Sequence, residues 1–386
     1  MHLVQGGDGR ISSESKDKGG FMMPNFILSP CGTSLLTGGA NNEQRKLLTD
    51  YANCKDLHDI TPEHREILEK RVQEVENKLM DLTAKEVVKY SAELNALVRF
   101  YKGKFLSGDY HFLLCTDTWL GEQTAKMISH WLKKQNENMV VEVYRQKDLQ
   151  TRDLESFQYA LTELAGKLDS LLPDFRKNNY HIVFNLTGGF KSVLGFLQVL
   201  AMFYADEIIY IFESQGDLLR IPKLPLQINV EQGIKKHISL FRRLEAGLLG
   251  PEQARELPDI FVYCLGEEVD FSPWGKILWN KAKEEFYTEK LWPEPVDYVR
   301  FSDKFIKQIN SLPGHRKKEM NERIDQLIKA LRNRDYNPRS LRFHPITGNK
   351  IGKCTHEFYA WTGEDERVYG YFDGDVYVVD RVGEHL

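Results

Sequence analysis

The chain has 386 residues, 41% hydrophobic, 28% charged and 11% aromatic, with a formal net charge of −4. This is the composition of an ordinary globular protein, and the length exceeds one compact domain, so two or three domains are expected. No apolar run approaches the ~20 residues needed to span a bilayer, and no N-terminal stretch has the order of a secretory signal. The cysteines Cys31, Cys54, Cys115, Cys264 and Cys354 never fall in a Cys-x-x-Cys pair. That pattern points to a reduced, cytoplasmic chain without a structural zinc, and no metal is expected.

Residues 1–22 are rich in Gly, Ser and Lys and lack apolar periodicity. They read as a disordered tail, or as sequence ahead of a start at Met22 or Met23. Asn25-Phe-Ile-Leu-Ser reads as a strand running into Pro30-Cys-Gly-Thr-Ser-Leu-Leu. Residues 41–101 turn helical, with a helix opened by Thr61-Pro62 and a second expected over 84–100. So much helix between two strands exceeds a simple crossover. Either it protrudes as an arm toward a partner, or it lies on the sheet as an extra layer. Strands at 111–115, 139–144, 180–185 and 207–212 then alternate with helices at 122–134, 154–172 and 192–204. Strands apolar on both faces, alternating with helices, mean an α/β, Rossmann-like parallel sheet covered on each side, here over residues 23–226.

Over 227–292 the pattern becomes helices (230–249, a short one at Pro251, 273–287) around a hairpin at 260–271, like a winged helix. It reads as a connector or dimerisation element, or as a DNA-binding module. Residues 293–386 read as a small α+β domain: a strand at 297–301, a helix from Asp303, and a basic helix at 313–334. Strands follow at 340–343, 357–362, 368–372 and 376–382, with Asp373-Gly374 as a tight hairpin turn. Residues 314–353 carry eleven Lys or Arg against four Asp or Glu. Such a cluster either attracts a polyanion or forms a solvated helix face.

Three polar loops follow the strands of the first domain, where open parallel sheets place ligands. They contain Ser29, Gly32, Thr33, Ser34 and Leu35; Thr116, Asp117 and Thr118; and Asn185, Thr187, Gly188, Gly189, Phe190 and Lys191. Paired glycines let backbone amides approach a phosphate, and Lys191 adds positive charge at a helix start. A Gly-Gly turn also serves merely to enter a helix. The dinucleotide fingerprint and the P-loop are both missing from these loops, which argues against ordinary NAD or ATP binding.

Ser-Pro-x-Gly-Thr-Ser-Leu-Leu, Thr-Asp-Thr and Asn-Leu-Thr-Gly-Gly-Phe-Lys together resemble the CARF domain, the CRISPR-associated Rossmann fold. Ser91-Ala-Glu-Leu-Asn-Ala-Leu and Tyr210-Ile-Phe-Glu with Ile221-Pro-Lys-Leu-Pro are similar to that family too. The resemblance implies a homodimer binding cyclic oligoadenylate, here cyclic tetra-adenylate, as an allosteric activator across its two-fold axis. Gly32, Thr33, Ser34, Leu35, Gly188, Gly189, Phe190 and Lys191 would hold the ring. No cofactor is implied.

The ending Glu366-Arg-Val-Tyr-Gly-Tyr-Phe-Asp-Gly-Asp-Val-Tyr-Val-Val-Asp-Arg-Val-Gly-Glu-His resembles RelE-type toxins, ribosome-dependent messenger RNA endonucleases. Arg367 and His385 match an arginine and a C-terminal His or Arg of their active site. Metal-independent RNA cleavage needs cations for the developing charge and a proton acceptor and donor. Arg339, Arg342, Lys350, Lys353 and Arg367 supply charge, and His344, His356 and His385 are acid–base candidates. Tyr359, Tyr369 and Tyr371 offer stacking faces. Each of these also has a structural reading, as solvated charge or strand core. Arg339-Ser-Leu-Arg-Phe-His344 fits as well the Arg-x4-His pattern of the all-helical HEPN ribonucleases. A winged-helix transcription regulator and a ring nuclease that only degrades the signal remain open. The expectation is a cyclic oligoadenylate-activated ribonuclease of type III CRISPR defence acting on messenger RNA at the ribosome.

Overall fold

The computed structural model describes residues 23–150, 152–212, 216–223, 231–347 and 351–385. The tail expected over 1–22 and the candidate Lys350 lie outside the described residues.

The first domain is built on a six-stranded sheet: β1 (Asn25–Pro30), β2 (Tyr110–Cys115), β3 (Val140–Arg145), β4 (His181–Asn185), β5 (Glu207–Ile211) and β6 (Leu218–Pro222). The spatial order is β3-β2-β1-β4-β5-β6, parallel except for β6. Alternate residues divide between two cores because successive side chains point to opposite faces. Ile27, Leu113, Val183 and Ile209 meet one helical layer; Phe26, Leu28, Phe112, Phe184 and Ile208 meet the other. The first layer holds α1 (Ser34–Thr37), α2 (Asn42–Asp50), α3 (Pro62–Asp81), α4 (Ala84–Val87), α5 (Ala92–Phe100) and α6 (Trp119–Gln135), and the second α7 (Leu154–Lys177) and α8 (Lys191–Tyr204).

The helical insertion is a layer and not a protruding arm. Leu68, Val72, Val75 and Leu79 of α3 and Leu94 and Leu97 of α5 enter the same core as Ile27 and Leu113. The single helix expected over 84–100 is broken, because Ser91 turns extended and its hydroxyl caps the Leu94 amide to start α5. Antiparallel β6 went unrecognised in the sequence: it is a half-exposed edge strand, with neither a fully apolar run nor clean alternation.

The middle region comprises α9 (Glu231–Lys236), α10 (Ile238–Glu245), α11 (Pro251–Ala254), the hairpin β7 (Val262–Leu265) and β8 (Glu268–Phe271), and α12 (Pro273–Glu289). The helix expected over 230–249 is interrupted at His237, which lets Ile234 and Phe241 reach one core with Phe261, Phe271 and Trp279. Helix α12 touches both neighbours. Asn280 donates to Asp169 of α7 at 2.7 Å, and Glu284 pairs with Lys318 beyond the connector at 2.5 Å.

The last domain runs β9 (Val299–Phe301), α13 (Asp303–Asn310), α14 (Gly314–Arg332), β10 (His344–Pro345), β11 (His356–Tyr359), β12 (Glu366–Asp373) and β13 (Val376–Glu384). Its sheet has the order β10-β11-β12-β13-β9, with β9 parallel to β13 and the other pairs antiparallel. Phe301, Phe358, Val368 and Val379 pack on Phe305, Ile309, Ile324 and Leu327 of the two helices. One sheet face is thus covered, and no described helix of this domain packs on the other. The strand expected over 340–343 does not form. Arg342 adopts φ +48°, which no strand accommodates, and the Asn337 side chain clamps the Phe343 amide (2.9 Å) and carbonyl (2.8 Å). Pairing starts only at His344.

Candidate functional site

From β1 the chain builds outward through β2 and β3, then crosses to the other side of β1 to lay down β4. The loop after β1 enters the first helical layer and the loop after β4 enters the second. They leave the sheet edge toward opposite layers, and the switch point between them, termed the crevice, is where open parallel sheets hold ligands.

Two glycine turns border this crevice and touch: a Cβ on Gly32 would stand 3.2 Å from the Gly189 nitrogen. Beneath them lies the carboxylate of Glu93, 1% exposed. Its Oε1 accepts from the Gly32 amide at 2.9 Å and its Oε2 from the Ser91 hydroxyl at 2.8 Å. Asn185 donates to Ser29 Oγ at 3.2 Å and to the Glu93 carbonyl at 3.1 Å. Burial pushes the Glu93 carboxyl up from its ordinary value, against the opposing pull of the Gly32 amide and Ser91. A Cβ on Gly188 would overlap that carboxylate, and Gly189 has φ +104°, so this turn requires glycine twice. Above the buried floor, Thr33 and Phe190 are half-buried, and Ser34 and Lys191 are exposed. Leu35 is core, and the Thr187 hydroxyl oxygen is buried without a protein partner. Helix α8 starts at Lys191, so the free amides of its first turn and one ammonium stand at the crevice edge. That edge suits a phosphate or another anion.

Thr116, Asp117 and Thr118 are engaged differently. The two threonine hydroxyls bond each other at 2.9 Å, and Thr118 caps α6 through the Gly121 amide at 3.1 Å. Asp117 takes Arg145 and Lys55, each at 2.9 Å, and the Asp148 amide at 2.9 Å. Partial burial works against ionisation here, but the Asp148 amide, Lys55 and Arg145 hold the Asp117 carboxyl below its ordinary value. In this structure these three residues fix their own loop, one strand away from the crevice.

On the face of the last sheet that no described helix covers, register brings another group together, of which Glu357, Tyr369 and Arg367 are buried. His344 lies opposite Glu357, Glu357 opposite Tyr369, and Tyr359 opposite Arg367. His344 Nε2 and His385 Nε2 both stand 3.6 Å from Glu357 Oε1, so two imidazoles flank one buried carboxylate. The Arg367 guanidinium lies 3.9 Å from the centre of the Tyr359 ring, and Arg342 donates to the Tyr359 hydroxyl at 2.8 Å. Arg342 pays for its left-handed backbone with ~1–2 kcal/mol, a strain that clusters at functional positions. Glu357 was missed in the sequence; its signal was an acid between two strand residues of a short buried run.

His356 faces the other way. It stacks on Phe343 at 5.2 Å, and burial, then the nearby His344, lowers its pKa. Arg339 and Lys353 are exposed, with no ion pair among the described residues. The Arg339-x4-His344 pattern occupies a turn leading into a sheet and not the start of a helix. Much of the basic excess on α14 is neutralised: Arg316 pairs with Glu364, Lys318 with Glu284, and Arg323 with Glu319. No described group of three or more His, Cys, Asp or Glu is arranged to hold a metal. No described helix is long and apolar enough to cross a membrane, and the five cysteines are unpaired.

Fold and site together define a Rossmann-like α/β protein with a candidate ligand crevice, which carries a small α+β domain with arginines and histidines on the sheet face that no described helix covers. Residues 88–224 match the family described as CRISPR-associated protein (Cas_APE2256). That stretch contains Glu93, the second loop and the Gly188-Gly189 turn, and stops short of the connector. No curated protein sequence matches the chain. Among solved structures, Enterococcus italicus Csm6 bound to cyclic hexa-2'-fluoro-hexa-dAMP aligns with 12% identity and a TM-score of 0.29. The alignment covers 80% of this chain and 54% of that one. The chain therefore spans about half the length of that protein, and the likeness is too loose for any functional conclusion.

Proposed function

We propose that the chain is a homodimeric endoribonuclease of type III CRISPR antiviral defence, activated by cyclic tetra-adenylate and cutting messenger RNA on the ribosome, with a RelE-like last domain. The CRISPR-associated family match over 88–224 includes half of the switch-point crevice. The crevice offers a lysine, exposed hydroxyls and helix-start amides, chemistry that fits a cyclic phosphodiester at a two-fold axis. The observation that carries the ribonuclease reading is the His344–Glu357–His385 cluster beside Arg342 and the buried Arg367, on a sheet face that no described helix covers.

Cleavage then follows internal attack by a ribose 2′-hydroxyl. One imidazole takes its proton while the other delivers a proton to the leaving 5′-oxygen, and Glu357 orients both. Arg367 and Arg342 stabilise the charge that develops on the phosphate, and the half-buried Tyr359 and Tyr371 offer faces to bases, whereas Tyr369 is 1% exposed and does not.

Activated protein should yield 2′,3′-cyclic phosphate and 5′-hydroxyl ends, with cleavage unaffected by a chelator. Arg367→Ala should lower kcat by ~30- to 1,000-fold, the loss of about 2–4 kcal/mol of preorganised charge stabilisation. Ends bearing 3′-hydroxyls, or full activity in Arg367→Ala, would contradict this mechanism.

A further inference from the structure

Successive strand residues face opposite ways, and the β10–β11 edge uses this twice. His344 and Glu357 belong to the open-face cluster, while their neighbours Phe343 and His356 line a cleft on the other side of the same edge. This cleft, about 710 Å³, lies between the carboxyl end of α14 and the β12–β13 hairpin. Tyr298, Tyr336, Phe343 and Phe372 give it aromatic walls, and Arg332 and Arg334, against one carboxylate from Asp375, give it a net positive charge. Phe372 is 46% exposed, an unusual position for a phenylalanine, and its ring meets those of His356 and Tyr377 edge-on. Arg334 forms no ion pair or hydrogen bond among the described residues, whereas Arg332 lies 4.1 Å over the Tyr298 ring. His356 engages Thr355 through Nδ1 at 2.9 Å, and its lowered pKa keeps it neutral at pH 7, able to read a base edge.

We infer that this cleft binds one unpaired RNA nucleotide flanking the scissile one, its base between the aromatic walls and its phosphate on Arg334. The inference rests on the proposed ribonuclease function. Exposed aromatic faces beside guanidiniums are the chemistry by which single strands are held, since every base has a stacking face and every linkage a negative charge. A volume of this size accommodates a nucleotide. The strand would wrap the β10–β11 edge, with the cleaved linkage on one side and the held base on the other.

The test uses the full chain carrying His385→Ala, so that RNA is not consumed, and a fluorescent single-stranded oligoribonucleotide read by anisotropy. Adding Phe372→Ala or Arg334→Ala should weaken binding about tenfold, the loss expected for one stacked base or one phosphate contact. Phe372→Tyr should retain affinity. Thermal stability and cyclic tetra-adenylate binding should not change, since both residues are exposed and far from the crevice. Equal RNA affinity in all variants would overturn the cleft assignment and leave the ribonuclease reading standing if the unmutated chain still cleaves RNA. A chain that neither binds nor cleaves RNA would overturn both.

Discussion

Gly188 has no room for a side chain because the Glu93 carboxylate lies against it, and that carboxylate also holds the Gly32 amide. One buried acid thus joins the two turns that border the crevice, and its burial sets a pH dependence. The folded pKa of Glu93 is raised above the unfolded value, so the folded chain binds more protons. Stability is therefore full below the ordinary carboxylate value near 4.5 and is lost as pH rises through the raised one. Glu93→Gln removes the charge and keeps an oxygen for the Gly32 amide, with the Ser91 hydroxyl turned to accept from the new amide nitrogen. Its thermal midpoint should fall less than that of the unmodified chain as pH goes from 4 to 8, and parallel curves would contradict this account. Lys191 is exposed and should act on ligand alone. Lys191→Ala should weaken cyclic tetra-adenylate binding by ~10- to 100-fold, the ~1.5–3 kcal/mol of a charged hydrogen bond, with folding unchanged. Calorimetry showing equal affinity would remove Lys191 from the site.

Helix α12 gives the connector its physical content, since polar contacts leave it toward both neighbours. Between connector and last domain, Arg242 is fully buried and donates to Asp325 at 2.7 Å, and the Tyr287 hydroxyl donates to the same carboxylate at 2.5 Å. Burial pushes the Asp325 carboxyl up even against Arg242. Removing the cation strands a buried acid, so Arg242→Met should cost ~3–5 kcal/mol in urea unfolding, and Arg242→Met with Asp325→Leu clearly less. Equal losses would mean that the pair is not coupled. Elements with long apolar runs or clear start and turn signals were legible in the sequence: the five parallel strands, α3 with Pro62 at its start though Thr61 makes no cap bond, and the β12–β13 hairpin, whose turn is Gly374-Asp375, one residue beyond the expected one. Elements decided by tertiary context were not. Nothing local announces that Ser91 would restart a helix, that Arg342 would turn left-handed, or that Leu218–Pro222 would close a sheet edge. The same division holds for the site. The glycine turns and Lys191 were visible as loop chemistry, but the Glu93 bond to Gly32 spans 61 residues, and the meeting of Glu357 with His344 and His385 depends on strand register.

At the scale of the whole molecule, the crevice and the histidine–arginine cluster belong to different domains, joined through α12 and the Arg242–Asp325 pair. A ligand at the crevice can control cleavage only if it favours one arrangement of these parts over another. The most direct measurement supplies a labelled message to the full chain, once on translating ribosomes and once as naked RNA, each with and without cyclic tetra-adenylate, and maps the cuts. The account predicts cleavage that requires the cyclic nucleotide and is far faster on the ribosome. Cleavage of naked RNA at the same rate would contradict the ribosomal part of the proposal, and cleavage indifferent to cyclic tetra-adenylate would contradict its central claim, that the first domain senses and the last one cuts.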